Sequence, residues 1–126
     1  MAVIQRLVAD LDMPIRLIMA PTIREEDGLA MSSRNVRLSA SARQEAVAIS
    51  QGLLAAQAQF DSGIRESELL IKAVESVIAP TSAEIDYVKL VEAKTLQDAK
   101  TASKGCVIVV AVVLDDVRLI DNLVLE

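Results

Sequence analysis

The apolar positions Val3, Ile4, Leu7, Val8 and Leu11 recur at helical spacing and predict an amphipathic helix over residues 1–11. Asp12, Met13 and Pro14 break it. Residues 15–20, where Ile15, Leu17, Ile18 and Met19 are apolar on both faces, predict a short strand. A helix feeding a doubly apolar strand is the expected tail of a parallel α/β unit. No further strand of that kind follows, so residues 1–20 read as the end of a preceding domain and residues 21–126 as a domain of their own. The alternative for residues 15–20 is that they join the C-terminal sheet.

Residues 21–38 show no sustained period and predict a loop with one helical turn. Ser41 and Gln44 have the spacing of a capping box. They open a long helix with the seam Ala46, Ile49, Leu53, Ala56 and Phe60, ending near Gly63. A second helix is predicted over residues 66–79, with Leu70, Val74, Val77 and Ile78 inward, and Pro80 stops it. Three β-rich stretches follow, at residues 85–91, 105–114 and 117–125, the last two joined by a tight turn at Asp115-Asp116. Two helices followed by three strands predict an α+β fold, with the two helices packed on one face of a small three-stranded antiparallel sheet. The helix–strand remnant of a Rossmann-like α/β domain precedes it. The helical seams are expected against the sheet, with a partner-binding groove as the alternative.

Composition narrows the chemistry. The 126 residues suit one ordinary domain, and a hydrophobic content of 52% argues for a packed core. Aromatics make up only 2%, so that core is built from Leu, Ile, Val and Ala, and little remains to stack on a nucleic-acid base. A net charge of −5 removes the general electrostatic case for nucleic-acid binding. There is no histidine, which excludes a Ser-His-Asp triad, a His-ligated metal and an imidazole base within these residues. Cys106 is the single cysteine, expected as an inert buried thiol, with no disulfide and no Cys-based metal cluster. No stretch reads as a secretion signal or a membrane span. The expected compartment is the cytoplasm.

The segment DGLAMSSRN, residues 27–35, concentrates the candidate chemistry. Ser32 and Ser33 offer hydroxyl donors and Arg34 a planar fork, a set suited to phosphate oxygens. Residues 28–44 contain no Asp or Glu but hold Arg34, Arg37 and Arg43. In an acidic chain that local reversal of sign points to an anion site. On local chemistry alone the segment reads equally as a polar turn before a helix. Glu25, Glu26 and Asp27 read as a solvated acidic loop in preference to a metal or acid/base cluster. Met31 either touches a ligand or anchors the loop in the core.

Read together, Pro21-Thr22-Ile23-Arg24, the 27–35 segment and Leu38-Ser39 closely resemble the pantothenate synthetase (pantoate–β-alanine ligase) family. So do Ile85-Asp86-Tyr87-Val88 and Arg118-Leu119-Ile120-Asp121-Asn122. The resemblance implies ATP-dependent condensation of pantoate with β-alanine through a pantoyl adenylate, with Mg²⁺ held mainly through the ATP. The MSSRN run is the counterpart of the KMSKS loop of class I aminoacyl-tRNA synthetases. By that likeness Ser32, Ser33 and Arg34 contact the ATP phosphates and the charge developing on departing pyrophosphate, while Ile23 and Met31 lie against adenine. Asp27 and Gly28 shape the loop, and no residue of this chain is a metal ligand.

The departures from the family pattern set expectations as well. The family's paired-histidine HxGH motif and pantoate pocket belong to an N-terminal domain absent from these residues, as does a Lys-Asp-Tyr-Gln-Gln segment expected just before Met1. Arg37 stands where the family commonly has Tyr, and Asp115 near a position where it has Gly. The chain is therefore expected to be the C-terminal lid domain, hinged near residues 20–22 and inactive alone. Its implied partners are ATP, pantoate, β-alanine and the missing N-terminal domain, with no nucleic acid and no membrane. The alternative function is a non-catalytic, self-associating interaction module, which would make the chain a homo-oligomer.

Overall fold

Nine consecutive apolar residues, CVIVVAVVL, form the central strand β2 (Cys106–Leu114). Branching at Cβ suits these side chains to a pleated sheet. The computed structural model, which describes residues 2–126, pairs β2 antiparallel with β1 (Glu84–Glu92) on one side and β3 (Val117–Val124) on the other. The strand order is β1-β2-β3. Cys106, Ile108, Val110, Val112 and Leu114 of β2 are buried on one face. Register aligns them with Ile85, Val88 and Leu90 of β1 and with Val117, Leu119 and Leu123 of β3. A bulge between Ile85 and Tyr87 lets β1 keep that alternation. Asp115 and Asp116 take φ values of 56° and 58°, the doubly left-handed geometry that matches a two-residue turn to strand twist. Aspartate tolerates this region better than most residues.

The last two helices cover the buried face. The chain runs through α1 (Ala2–Asp10), a 3-10 turn (Ser33–Arg37), α2 (Ala40–Glu45), α3 (Val47–Asp61) and α4 (Ser67–Ile78). Ile49, Leu53, Ala56 and Phe60 of α3, with Leu70, Ala73, Val74 and Ile78 of α4, complete a core nearly free of aromatic rings. The α+β fold with helices on one face of a three-stranded antiparallel sheet is as expected. Cys106 is buried as expected, with its sulfur 3.4 Å from the Ser103 hydroxyl.

Three local expectations are corrected. The helix over residues 41–63 is two segments: at Ala46 the bonding tightens, and the Ile49 N–H donates to the Ala46 carbonyl three residues back. Its cap is Ser39, whose Oγ accepts from the Ala42 N–H at 3.3 Å. Ser39 wins because its backbone is still extended, whereas Ser41 is already helical. Residues 15–20 form no strand and do not join the sheet. Apolar pattern alone does not make a strand when no neighbouring backbone takes its N–H and C=O groups. In this segment Ile15, Ile18 and Met19 are exposed. Of the predicted helix over residues 1–11, Met1 lies outside the described residues.

The C-terminus of α3 follows from Gly63, at φ 103°. The Ile64 N–H donates to the Gln59 carbonyl and the Gly63 N–H to Phe60, the paired bonds of a glycine helix stop. Where α3 packs on α4, Gly52 lies against Val74. A β-carbon there would stand 3.0 Å from the Val74 carbonyl oxygen and 3.1 Å from Val74 Cγ1. Alanine improves helix propensity by about 1 kcal/mol, but overpacking against helix backbone costs about 1–3 kcal/mol. Gly52→Ala is therefore expected to lower the urea unfolding midpoint. A raised midpoint would show that the two helices separate freely.

Candidate functional site

Residues 23–31 fold back on themselves before the 3-10 turn. The Glu25 N–H donates to Leu29 C=O at 2.8 Å, and the Met31 N–H to Ile23 C=O at 2.9 Å. Gly28 turns the tip at φ 93°, and a β-carbon there would meet Ser50 Oγ at 3.1 Å. Asp27 Oδ1 accepts from the Leu29 N–H, and the Leu29 side chain, 4% exposed, plugs into the core. The apolar anchor of this loop is thus Leu29. Met31 is 62% exposed and Ile23 70%, which settles Met31 as a surface residue of the loop.

Two arginines hold this small hairpin in place. Arg24 donates Nη1 to Asp121 Oδ2 at 2.6 Å and Nη2 to Asp121 Oδ1 at 3.0 Å, while Nη1 also reaches the Gly28 carbonyl at 3.0 Å. Asp121 lies on the helix-facing side of β3, with only 3% of its side chain exposed. Arg43 of α2 spans Glu25 at 2.6 Å and Asp27 at 2.7 Å. The expectation of a solvated acidic loop therefore fails for Glu25 and Asp27, which clasp a guanidinium; among the described residues Glu26 alone of the three is exposed without a side-chain bond. The same pairing removes Arg43 from the expected anion site.

Asn35 ties the hairpin to the turn. Its Nδ2 donates to Glu25 Oε1 at 2.8 Å and to the Ala30 carbonyl at 3.1 Å, and its backbone N–H to Ser32 C=O. Both Nδ2 partners are acceptors, so the amide orientation is fixed by the bonds it makes. Its Oδ1 is buried without a partner among the described residues.

The turn so held carries the residues expected to contact phosphate. Ser32 Oγ accepts from the Arg34 N–H at 3.2 Å, which leaves its own proton free to donate. Ser33 and Arg34 are exposed, and the Arg34 guanidinium has neither hydrogen bond nor ion pair among the described residues. Met31, Ser32, Arg34 and Asn35 form one wall of a cleft of about 300 Å³; Arg118, Ile120 and Asn122 of β3 form the other. Ile23 and Ser33 stand outside that wall, although Ile23 neighbours Met31 across the hairpin. A larger cleft of about 790 Å³, between the start of α4 and residues 98–100, contains none of the predicted residues.

Arg24, Asn35, Arg43 and Asp121 were not singled out by sequence reasoning as the frame of the site. One signal was present: Asp121 occupies a core-facing position in the alternation Val117, Leu119, Asp121, Leu123. A carboxylate there demands a buried cation.

The chain has relatives of known identity. A family model described as pantoate-beta-alanine ligase matches residues 1–124. The pantothenate synthetase of Desulfatibacillum aliphaticivorans is 43% identical over 127 residues, covering 100% of this chain and 45% of that protein. A crystal structure of pantothenate synthetase from Thermus thermophilus superposes with a TM-score of 0.92 at 35% identity, over 99% of this chain and 45% of that one. The ligase of Francisella tularensis, complexed with beta-gamma ATP and beta-alanine, gives a TM-score of 0.59 at 28% identity, over 96% of this chain and 38% of that one. The chain spans less than half the length of these relatives.

The clasp around Arg43 has a consequence for pH. Hydrogen bonds from Arg43, and then from Asn35, hold the Glu25 carboxyl below the usual range. Arg43, and then the Leu29 N–H, does the same for Asp27. Groups with depressed folded values stabilise the fold above the ordinary carboxylate range, near pH 4, and lose that effect as pH falls through the lowered values. Arg43→Gln is expected to melt below the native chain at pH 7, and the gap should close on acidification below about pH 4. An undiminished gap in thermal melts at pH 3 would place the contribution of Arg43 outside its ion pairs.

Proposed function

Because the chain belongs to the pantoate–β-alanine ligase family, we propose that it is the lid domain of such a ligase, closing Ser32, Ser33 and Arg34 over the phosphates of ATP. The observation that carries this reading is the free guanidinium of Arg34 beside two serines, on a turn framed by arginines, Arg24 and Arg43, that are already paired. In the proposed reaction a pantoate carboxylate attacks the α-phosphorus of ATP, pyrophosphate leaves, and β-alanine then displaces AMP from the pantoyl adenylate. Charge accumulates on the departing pyrophosphate, where fixed hydroxyl and guanidinium donors are worth most.

Ile23 and Met31 present exposed apolar surface at the mouth of the hairpin, suited to lie against adenine. Mg²⁺ would be held mainly through the ATP, where it offsets phosphate charge. Residues 1–20 would complete a nucleotide-binding domain supplied by the rest of the ligase, and residues 20–22 would hinge it to the lid. Lid closure excludes water from an acyl adenylate that hydrolysis would otherwise consume. No described helix is long and apolar enough to cross a membrane, and we assign the ligase to the cytoplasm.

On this reading the chain alone releases no AMP from ATP and pantoate. It binds ATP weakly, with affinity reduced about fivefold in Arg34→Ala by loss of a charged hydrogen bond. Pantoate-dependent AMP release from the isolated chain, or unchanged ATP affinity in the variant, would overturn it.

One observation favours a second reading, a self-associating module without catalysis. Val3, Ile4, Leu7 and Leu11 of the N-terminal segment are exposed, as are Ile120 and Val124 on the sheet face away from the helices. Apolar surface of that kind marks contact sites. Sedimentation of the purified chain separates the readings: a concentration-dependent oligomer supports self-association, and a monomer through the micromolar range removes it.

A further inference from the structure

The 3-10 turn carries a second arginine that the lid reading leaves unused. With three residues per turn, positions i and i+3 of such a helix eclipse one another. Arg34 and Arg37 occupy that pair in the turn Ser33–Arg37. The buried side chain of Asn35 fixes the inward direction, which places Arg34 and Arg37 together about 120° to one side and Val36, 87% exposed, on the other. Arg37 is exposed and, like Arg34, has neither ion pair nor side-chain hydrogen bond among the described residues.

Most arginines of the chain lack this freedom. Arg24, Arg43 and Arg118 all hold carboxylates, Arg6 holds Asp10, and Arg65 is spent on backbone carbonyls and the Phe60 ring. Arg16 is exposed in the N-terminal segment, with no second arginine on a shared turn. Asp115, which approaches Ser39 just beyond the turn, is engaged by the Ser39 N–H at 2.7 Å. Two unpaired guanidiniums of one sign, held on one face of a rigid turn in a chain of net charge −5, repel each other unless an anion lies between or along them. Their Cα positions stand about 6 Å apart along the axis, so two long side chains on one side of the turn can reach different phosphoryl groups of one polyphosphate.

We propose that Arg37 is a second phosphate-binding residue, which with Arg34 makes this turn selective for a polyphosphate over a monophosphate. The inference rests on the reading of Ser32, Ser33 and Arg34 as a phosphate loop and adds to it the residue that reads polyphosphate length. Arg34 takes the phosphoryl group nearer the cleft, and Arg37, one turn beyond, takes a distal one. No bond is made or broken by Arg37; its role is binding and orientation of the distal phosphates.

The test is a titration of the native chain with inorganic tripolyphosphate and with orthophosphate, followed by calorimetry or by amide shifts of residues 32–37. The native chain is expected to bind tripolyphosphate saturably and at least tenfold more tightly than orthophosphate. Arg37→Gln should weaken tripolyphosphate about threefold to tenfold while leaving orthophosphate nearly unchanged, and Arg37→Lys should recover part of the loss. Lys72→Gln, an equal loss of charge beside the far end of α3, should change neither. Arg37 makes no contact that folding needs, so the variants are expected to melt like the native chain. Absence of saturable tripolyphosphate binding, or equal affinity in native and Arg37→Gln proteins, overturns the proposal. An effect of Arg34→Ala without one of Arg37→Gln removes Arg37 and leaves the phosphate loop standing. An unchanged affinity in Arg34→Ala removes both.

Discussion

The Arg24–Asp121 ion pair is the interaction on which the geometry of the candidate site rests. Asp121 sits where a strand facing the helices would ordinarily carry an aliphatic side chain, and only 3% of its side chain reaches solvent. Leaving such a carboxylate unpaired costs about 3–5 kcal/mol. Two parallel hydrogen bonds from Arg24, together with the Asn122 N–H, satisfy it. The same guanidinium holds the Gly28 carbonyl. One buried charge on β3 therefore fixes both the start and the tip of the hairpin, and with them the path of the chain into Met31 and Ser32.

Around that pair the charged side chains divide by role. Arg24 and Arg43 are consumed in holding the hairpin, and Asn35 bridges it to the 3-10 turn. What remains outward is a short surface of Ser33, Arg34 and Arg37. A fixed donor surface of this kind needs little reorganisation when an anion arrives, which is the condition under which electrostatic stabilisation is most effective. The rigidity comes from Arg24, Arg43 and Asn35, whose side chains are engaged within the fold. The free donors are those that the fold itself does not use.

The remainder of the domain supplies a stiff platform. An aliphatic core between α3, α4 and the sheet leaves few rings, and a glycine, Gly52, lets α3 lie close against the backbone of Val74. The opposite face of the sheet also carries apolar side chains, Ile120 and Val124 among them. Met19, Ala20 and Thr22 lie alongside that face, lining a cleft of about 390 Å³ with Val107, Val109 and Ile120. The exposed apolar residues of the N-terminal segment and this face together define the surface that a covering partner would meet.

Local pattern was enough for the two core helices and the three strands. Period-3.6 seams marked α3 and α4, Gly63 and Pro80 marked their ends, and the valine-rich runs with Asp115-Asp116 between them marked the hairpin of β2 and β3. These features act within a few residues of themselves. The exposed hydrogen-bond donors of the DGLAMSSRN run, Ser32, Ser33 and Arg34, were legible too. Tertiary structure decided what propensity could not. It made Ser39 the cap, left residues 15–20 without a strand partner, and turned Glu25 and Asp27 from a loose acidic loop into a clasp for Arg43. It also joined Arg24 to an aspartate 97 positions away. The sequence by itself determined which side chains are present and which backbone shapes they favour. Which arginines are spent and which stay free depends on pairings between distant segments, and only the packed fold brings those charges within reach.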